Sequence, residues 1–439
     1  MSVRDLLILA LVAWGCVLAL RKPWIGIMLW TWLSIMNPHR YAWGWAYEAP
    51  VAAMAAAATF VGLLLTSERR DNPFKSSAVA VFFAFMCWMT LSWLLGLDRE
   101  GDYEQWNKVM KIDLMVLIGL VVLHSKKHIL ALAWVSAGSL MLLGVKGGVF
   151  MILSGGGQRV WGPPGSFIQD NNEFGLALIM AIPLLRFLQL QLNNRWARLA
   201  MTLAMLLCTA AVFGTYSRGA FLAICAMGFL YWLRSKGNKF VGAVVIVTTA
   251  VVMLSVMPEH WSERMSTIET YQDDGSAQGR LAAWSAAWGS AFHYPFGIGF
   301  NPVRQEIFDL YSHNPGAGAR AAHSIYFQVL GNHGFIGLGL FMLIWAITWR
   351  QAGWLRKEAA KIPQAQWCAD LGAMVQVSLF GYFAGGAFLS LSYFDLPYII
   401  MSLVILATVW VRQRAWEREP EPGRGWNWVP GLATRQPVS

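Results

Sequence analysis

His323 and Ser324 stand nine residues before Gly334-Phe335-Ile336-Gly337. The His falls where a polar stretch enters an apolar run. Tyr326, Phe327 and Leu330 follow at i+3, i+4 and i+7, so on a helix they share its face. Gly331 and Gly334 would allow a helix or a ligand to come close. An imidazole titrates near neutral pH and can act as a general base; the plainer alternative is a hydrogen bond at a helix start. A second group is Tyr216-Ser217-Arg218-Gly219-Ala220, a tight turn between two apolar runs. An Arg at a membrane edge can fork onto phosphate oxygens, or simply snorkel to the interface. A third is Gly279-Arg280, followed by Tyr294-Pro295-Phe296-Gly297-Ile298-Gly299-Phe300, a glycine turn able to bring backbone close to a substrate. The fourth spans Lys146, then Arg159 to Ser166, then Asp170-Asn171-Asn172-Glu173. Lys146 interrupts an apolar run, and an ionisable residue at membrane depth is a functional candidate; it can pair with phosphate or with Glu173. Asp170, Asn171 and Asn172 also suit a helix N-cap. Asp273-Asp274 has no nameable partner, so no metal site is assigned.

These residues need a scaffold, and composition defines it. Of 439 residues, 56% are apolar or aromatic and 13% charged, with mean hydropathy +0.46. Soluble domains carry about 25% charged residues. Apolar runs recur to about residue 411, which predicts an all-α polytopic membrane protein. The runs lie near 6–20, 24–36, 49–66, 75–96, 106–123, 129–153, 173–190, 197–214, 219–234, 240–257, 323–349, 367–391 and 396–411. The first two are split only by Arg21-Lys22-Pro23, so 12 or 13 spans are expected. The organisation read from them is a bundle over 1–257, a long outer loop over 258–322, closing helices over 323–411 and a tail over 412–439. Within the loop, residues 277–292 read as an amphipathic helix with Leu281, Trp284, Trp288 and Phe292 in one stripe, lying on the membrane surface or capping a cavity.

Charge sets the orientation. Connections near 21–22, 69–75, 126–127, 195–198, 234–239 and 350–361, with the tail from Arg412, hold 21 of the 34 basic residues. The positive-inside rule places them in the cytoplasm. The net charge of +10 is then mostly topological and calls for no nucleic acid. Many of the 24 Trp sit at run ends, as interface anchors do, among them Trp24, Trp43, Trp45, Trp93, Trp161, Trp232, Trp349 and Trp410. The five cysteines lie in or beside apolar runs and read as buried thiols. The opening stretch up to Cys16 is loosely like a lipoprotein signal, but Trp14 and the next apolar run favour a retained helix. No GxxxxGK[ST], HExxH or GxSxG occurs. Chemistry is therefore expected on the outer side, driven by an activated substrate.

In order, the Tyr216-Ser217-Arg218-Gly219 turn, Gly279-Arg280 with Pro295-Phe296-Gly297-Ile298-Gly299, and His323-Ser324-X9-Gly334-Phe335-Ile336-Gly337 resemble the O-antigen ligase and polymerase superfamily. The likeness covers nearly the whole chain. Arg21-Lys22-Pro23-Trp24-Ile25-Gly26 and Met36-Asn37-Pro38-His39-Arg40 are similar to a subgroup of O-glycosylation ligases found beside exosortase systems. The resemblance implies a GT-C-like glycosyltransferase of the bacterial inner membrane, needing neither metal nor cofactor. It implies inverting transfer at the periplasmic face from a glycan on undecaprenyl diphosphate to a sugar hydroxyl of lipid A–core. His323 would be catalytic. Arg218 and Arg280 would hold the diphosphate, with Arg159 and Lys146 as further candidates, and Tyr326, Asn172 and Ser217 would be possible contacts to donor or acceptor. A polymerase or a protein O-oligosaccharyltransferase differs only in acceptor. A lipid-linked glycan flippase is the reading from another class; it needs charges paired along a central path.

Overall fold

The computed structural model describes residues 3–234, 238–256, 258, 259, 261, 275–301 and 303–419; Asp273, Asp274 and the chain beyond 419 lie outside them. Among the described residues the regular elements are all helices. The long ones are α1 (Val3–Arg21), α2 (Pro23–Met36), α3 (Val51–Leu65), α4 (Ser77–Leu94), α5 (Tyr103–Val122), α6 (Lys126–Leu153), α7 (Asn171–Leu190), α8 (Arg195–Gly214), α9 (Arg218–Arg234) and α10 (Lys239–Val256). Then come α11 (Gly275–His293), the short α12 (Gln305–Tyr311), α13 (Ile325–Glu358), α14 (Gln366–Gly386) and α15 (Asp395–Arg412). Seven of these are long and apolar enough to cross a membrane: α1, α4, α6, α7, α8, α13 and α15; α2, α3 and part of α10 are shorter apolar helices. The Arg21-Lys22-Pro23 break resolves into two helices, with Pro23 at the first position of α2, where its missing N–H costs nothing.

Apart from α11 and α12, the helices run between two ends. At one end Asp71 N donates to Val121 O, Arg69 reaches Gln413, and Lys126 N donates to Glu419. At the other, Leu97 N donates to Ile298 O, Val160 N to Gly214 O, and Asn171 Nδ2 to Thr215 O. The first end carries the basic connections and the second carries every candidate site residue. The core runs through α7 and α15, whose apolar windows are 83% and 89% buried; α1, at 22%, lies at the periphery.

The most instructive local feature is a break in α13. Gly334 has φ 66° and ψ −171°, so the helix stops and restarts there. The Pro295–Gly299 segment docks across the gap. Ile298 N donates to Gly331 O, Gly299 N to Asn332 O, and Trp88 Nε1 to His333 O at 2.8 Å. Carbonyls freed by the break thus regain donors, as buried backbone requires. Gly297 has φ +81°, and a Cβ there would lie 2.1 Å from Asn332 O. The glycine turn therefore serves backbone against backbone, where the sequence suggested approach to a substrate. Asp102 anchors the same segment through Phe300 N (2.8 Å) and Arg304 (3.3 Å).

Three readings gain detail. Much of the aromatic stripe of α11 is exposed, and the helix packs through another face. Gly279, Ala282, Ala283, Ala286 and Ala287 are buried, while Trp288 and Phe292 are 52% and 64% exposed. Small side chains let α11 approach α12 and α13 closely; Trp284 stacks on Phe327 at 4.9 Å, and Trp288 and Phe292 meet Phe335 edge-on. All five thiols are free, but Cys87 and Cys225 are exposed on their helices; only Cys208 and Cys368 are buried. Trp43, Trp45 and Trp161 are exposed as anchors would be, whereas Trp410 is core.

Candidate active site

Three helix starts meet around His323. The first is α7. Asp170 caps it, accepting from Asn172 N at 2.9 Å and from Asn172 Nδ2 at 2.8 Å. One turn on, Glu173 is buried, accepts from the Ser390 backbone N–H and is hydrogen-bonded to Asp170. A hydrogen bond between two carboxyl groups needs one proton, so the pair carries one negative charge. That charge sits on Asp170. Burial pushes its carboxyl up, but hydrogen bonds to Glu173 and Asn172 and the nearby His323 outweigh this and hold it below the usual carboxylate range.

His323 lies just before α13, in the left-handed backbone region at φ 44°. A non-glycine residue held there costs on the order of 1–3 kcal/mol and often marks a functional site. Its Nδ1 is buried, makes no hydrogen bond among the described residues, and lies 3.9 Å from Glu173 Oε1. The side chain is 37% exposed. Burial, and then the charge of Arg280, push the imidazole below its ordinary 6.5, with Asp170 opposing them. The ring therefore stays neutral at neutral pH, the form that can accept a proton.

Arg280 comes from α11, close enough for its charge to act on His323. Gly279 beside it is buried because Arg320 packs there; a Cβ would lie 2.8 Å from an Arg320 nitrogen. Arg218 opens α9, and the adjacent Gly219 abuts Phe388 and Leu389, directly before Ser390. The turn feeding α9 is strained too: Tyr216 has φ 58°. Its hydroxyl donates to Gly156 O, and Arg159 lies 5.9 Å over its ring. The structure thus gathers His323 and Arg280 with the acidic pair. Arg218 lies beside Gly219, which abuts Phe388 and Leu389, and Arg159 lies over Tyr216.

Other candidates make hydrogen bonds within the fold. Ser217 Oγ accepts from Ala220 N and caps α9. Asn172 is paired with Asp170, and Tyr326 OH donates to Phe383 O at 3.0 Å. Each of the three thus has an intrachain partner. Lys146 lies near the far end of α6, its ammonium 4.4 Å over the Tyr41 ring and not beside Glu173. It is about 30 Å along the helix from Lys126, a bilayer core away, so it marks an edge and not a mid-membrane charge. The acidic partner behind His323 was missed from sequence. Its signal was present, since Asp170 and Glu173 sit at N-cap and N3, one helical turn apart. Among the described residues no group of three His, Cys, Asp or Glu side chains is placed to hold a metal.

Residues 203–342, from within α8 to within α13, match a family model described as O-antigen ligase. That stretch carries Arg218, Arg280 and His323. Residues 3–177, which include Asp170 and Glu173, match a family of unknown function, DUF5935. No curated protein matches the chain. A helical membrane protein whose residues 203–342 carry the ligase match is the class these findings define. They support the O-antigen ligase superfamily and a ligase-like glycosyltransferase activity.

Proposed function

We propose that this chain is an O-antigen ligase that moves a glycan from undecaprenyl diphosphate onto a sugar hydroxyl of lipid A–core. The observation that carries the reading is the meeting of His323, Arg280 and the pair of Asp170 with the buried Glu173 at the end of the bundle opposite the basic connections. The positive-inside rule makes that end periplasmic, and we read the helices as 12 or 13 passes of the inner membrane. The apolar tail of the donor would lie among lipid-facing helices.

The transfer follows from the groups present. The acceptor hydroxyl attacks the anomeric carbon of the donor sugar. Its proton passes to Nε2 of His323, since Nδ1 faces Glu173. The anomeric C–O bond to the diphosphate breaks, and the electron pair leaves with undecaprenyl diphosphate. A single displacement inverts the anomeric centre. Negative charge grows on the leaving diphosphate, and Arg280, with Arg218 and Arg159, would offset it as fixed cations. The single negative charge of the carboxyl pair stabilises the imidazolium as it forms. This chemistry needs no metal, so transfer is expected to persist in excess EDTA. The test is His323→Ala with donor binding and transfer measured separately: binding should remain and transfer should vanish. Retained turnover would remove the base.

A further inference from the structure

A second set of cations stands apart from the first. Arg40 lies in the turn after α2, Lys108 in the second turn of α5, and Lys146 on α6. Each is seated on an aromatic ring: Arg40 over Tyr47 at 4.8 Å, Lys108 over Phe167 at 3.9 Å, Lys146 over Tyr41 at 4.4 Å. Among the described residues no carboxylate lies within ion-pair distance of the three; Glu104 and Asp395 act on Lys108 only from farther off. Cation–π contacts leave the N–H groups unused. Arg40 Nε is buried and has no hydrogen-bond acceptor among the described residues.

One loop reaches two of them, and the third sits on the residue next to Arg40. Gly165 has φ +68°, and a Cβ on it would come within 3.3 Å of Arg40 Nε, so the loop lies against that guanidinium. Two residues on, Phe167 lies under Lys108, and Tyr41 follows Arg40 in the chain. The 159–169 loop meets the His323 region at its other end, where Val160 N donates to Gly214 O and Arg159 overlies Tyr216. Trp43 and Trp45, 84% and 81% exposed, sit beside Arg40 at a level suited to a membrane interface. Neighbouring cations, with Arg40 near enough to repel Lys108, an unmet buried donor and flanking interface aromatics describe a seat for an anion on a membrane-anchored molecule.

We propose that Arg40, Lys108 and Lys146 form a second anion site, which holds a phosphomonoester of a lipid-anchored glycan on the acceptor side of the transfer. The acceptor assignment rests on the transfer reading; the site itself does not. The full chain in phosphatidylcholine nanodiscs should bind lipid A that carries its phosphates, and bind the dephosphorylated form much less. Arg40→Gln and Lys146→Gln should each weaken the phosphorylated form by about tenfold. Lys146→Arg should keep it, which excludes a folding artefact. Undecaprenyl diphosphate should bind the variants as it binds the wild type. Equal binding of both lipid A forms, or no loss in the Gln variants, would overturn the site. An equal loss of undecaprenyl diphosphate would assign the cations to the donor. Equal competition by phosphatidylglycerol would make the ligand bulk headgroups and overturn the acceptor assignment. A protein that binds phosphorylated lipid here yet transfers nothing would contradict the transfer reading and leave the site standing.

Discussion

The Asp170–Glu173 pair should behave as one charge, and that can be measured. Glu173→Gln keeps an amide hydrogen-bonded to Asp170 and leaves the charge where it already sits. Asp170→Asn keeps the helix cap, since Asn caps as well as Asp, and frees Glu173 to take up the charge. Each single variant thus retains a carboxylate near His323; the double variant removes it. A unit charge at the position of Glu173 Oε1, 3.9 Å from His323 Nδ1, would be worth about 4 kcal/mol at an effective dielectric of ~20 and about 1 kcal/mol in water. The ring is partly exposed and Asp170 stands behind Glu173, so roughly 2 kcal/mol is expected, or about 30-fold in turnover. Single-turnover glycan transfer by the purified full chain is the assay, run as a double-mutant cycle across pH. Each single variant should lose only a few-fold, and the double should lose far more than their product. The acid limb should also move to lower pH in the double variant, because losing the anion lowers the His323 pKa further. Additive losses, or a double variant as fast as wild type, would refute the shared charge.

Further outcomes follow from the same geometry. Arg280→Gln should weaken donor engagement by about 10- to 100-fold, as loss of a charge-assisted contact does. It should also move the acid limb up, because this cation depresses the His323 pKa; a titration showing no upward shift would separate the two residues. Arg218→Ala should reduce donor binding on the same scale in a direct binding measurement, and unchanged binding in both Arg variants would remove the charge clamp. Gly297→Ala adds a Cβ 2.1 Å from Asn332 O at φ +81°, so it should destabilise the solubilised protein by about 3 kcal/mol or more. A thermal melt matching wild type would contradict the docked turn.

Helices were legible in sequence because long apolar runs admit little else in a bilayer. The run near 173–190 became Asn171–Leu190, and the surface helix 277–292 became Gly275–His293. What could not be read was which face packs. The stripe with Trp288 and Phe292 marks an apolar face, yet lipid and protein core are equally apolar, so hydrophobicity does not decide what it meets; alanines permitting close approach do. The α13 break was hidden likewise. Gly334 was visible, but only the partner segment 295–299 supplies the donors that make a break affordable. His323, Arg218 and Arg280 stood out by type and position. Glu173 did not, because the chain places it far from His323 and only the fold brings them to 3.9 Å. Lys146 was misplaced for the converse reason: one charge in an apolar run gives no depth until the helix length is known.

The central claim is transfer to a specific acceptor. Purified protein incubated with an undecaprenyl-diphosphate glycan and lipid A–core should yield glycan joined to the core with inverted anomeric configuration, and none with His323→Ala. Elongated glycan or a glycosylated protein in place of that product, or donor crossing the bilayer with no transfer at all, would contradict the account.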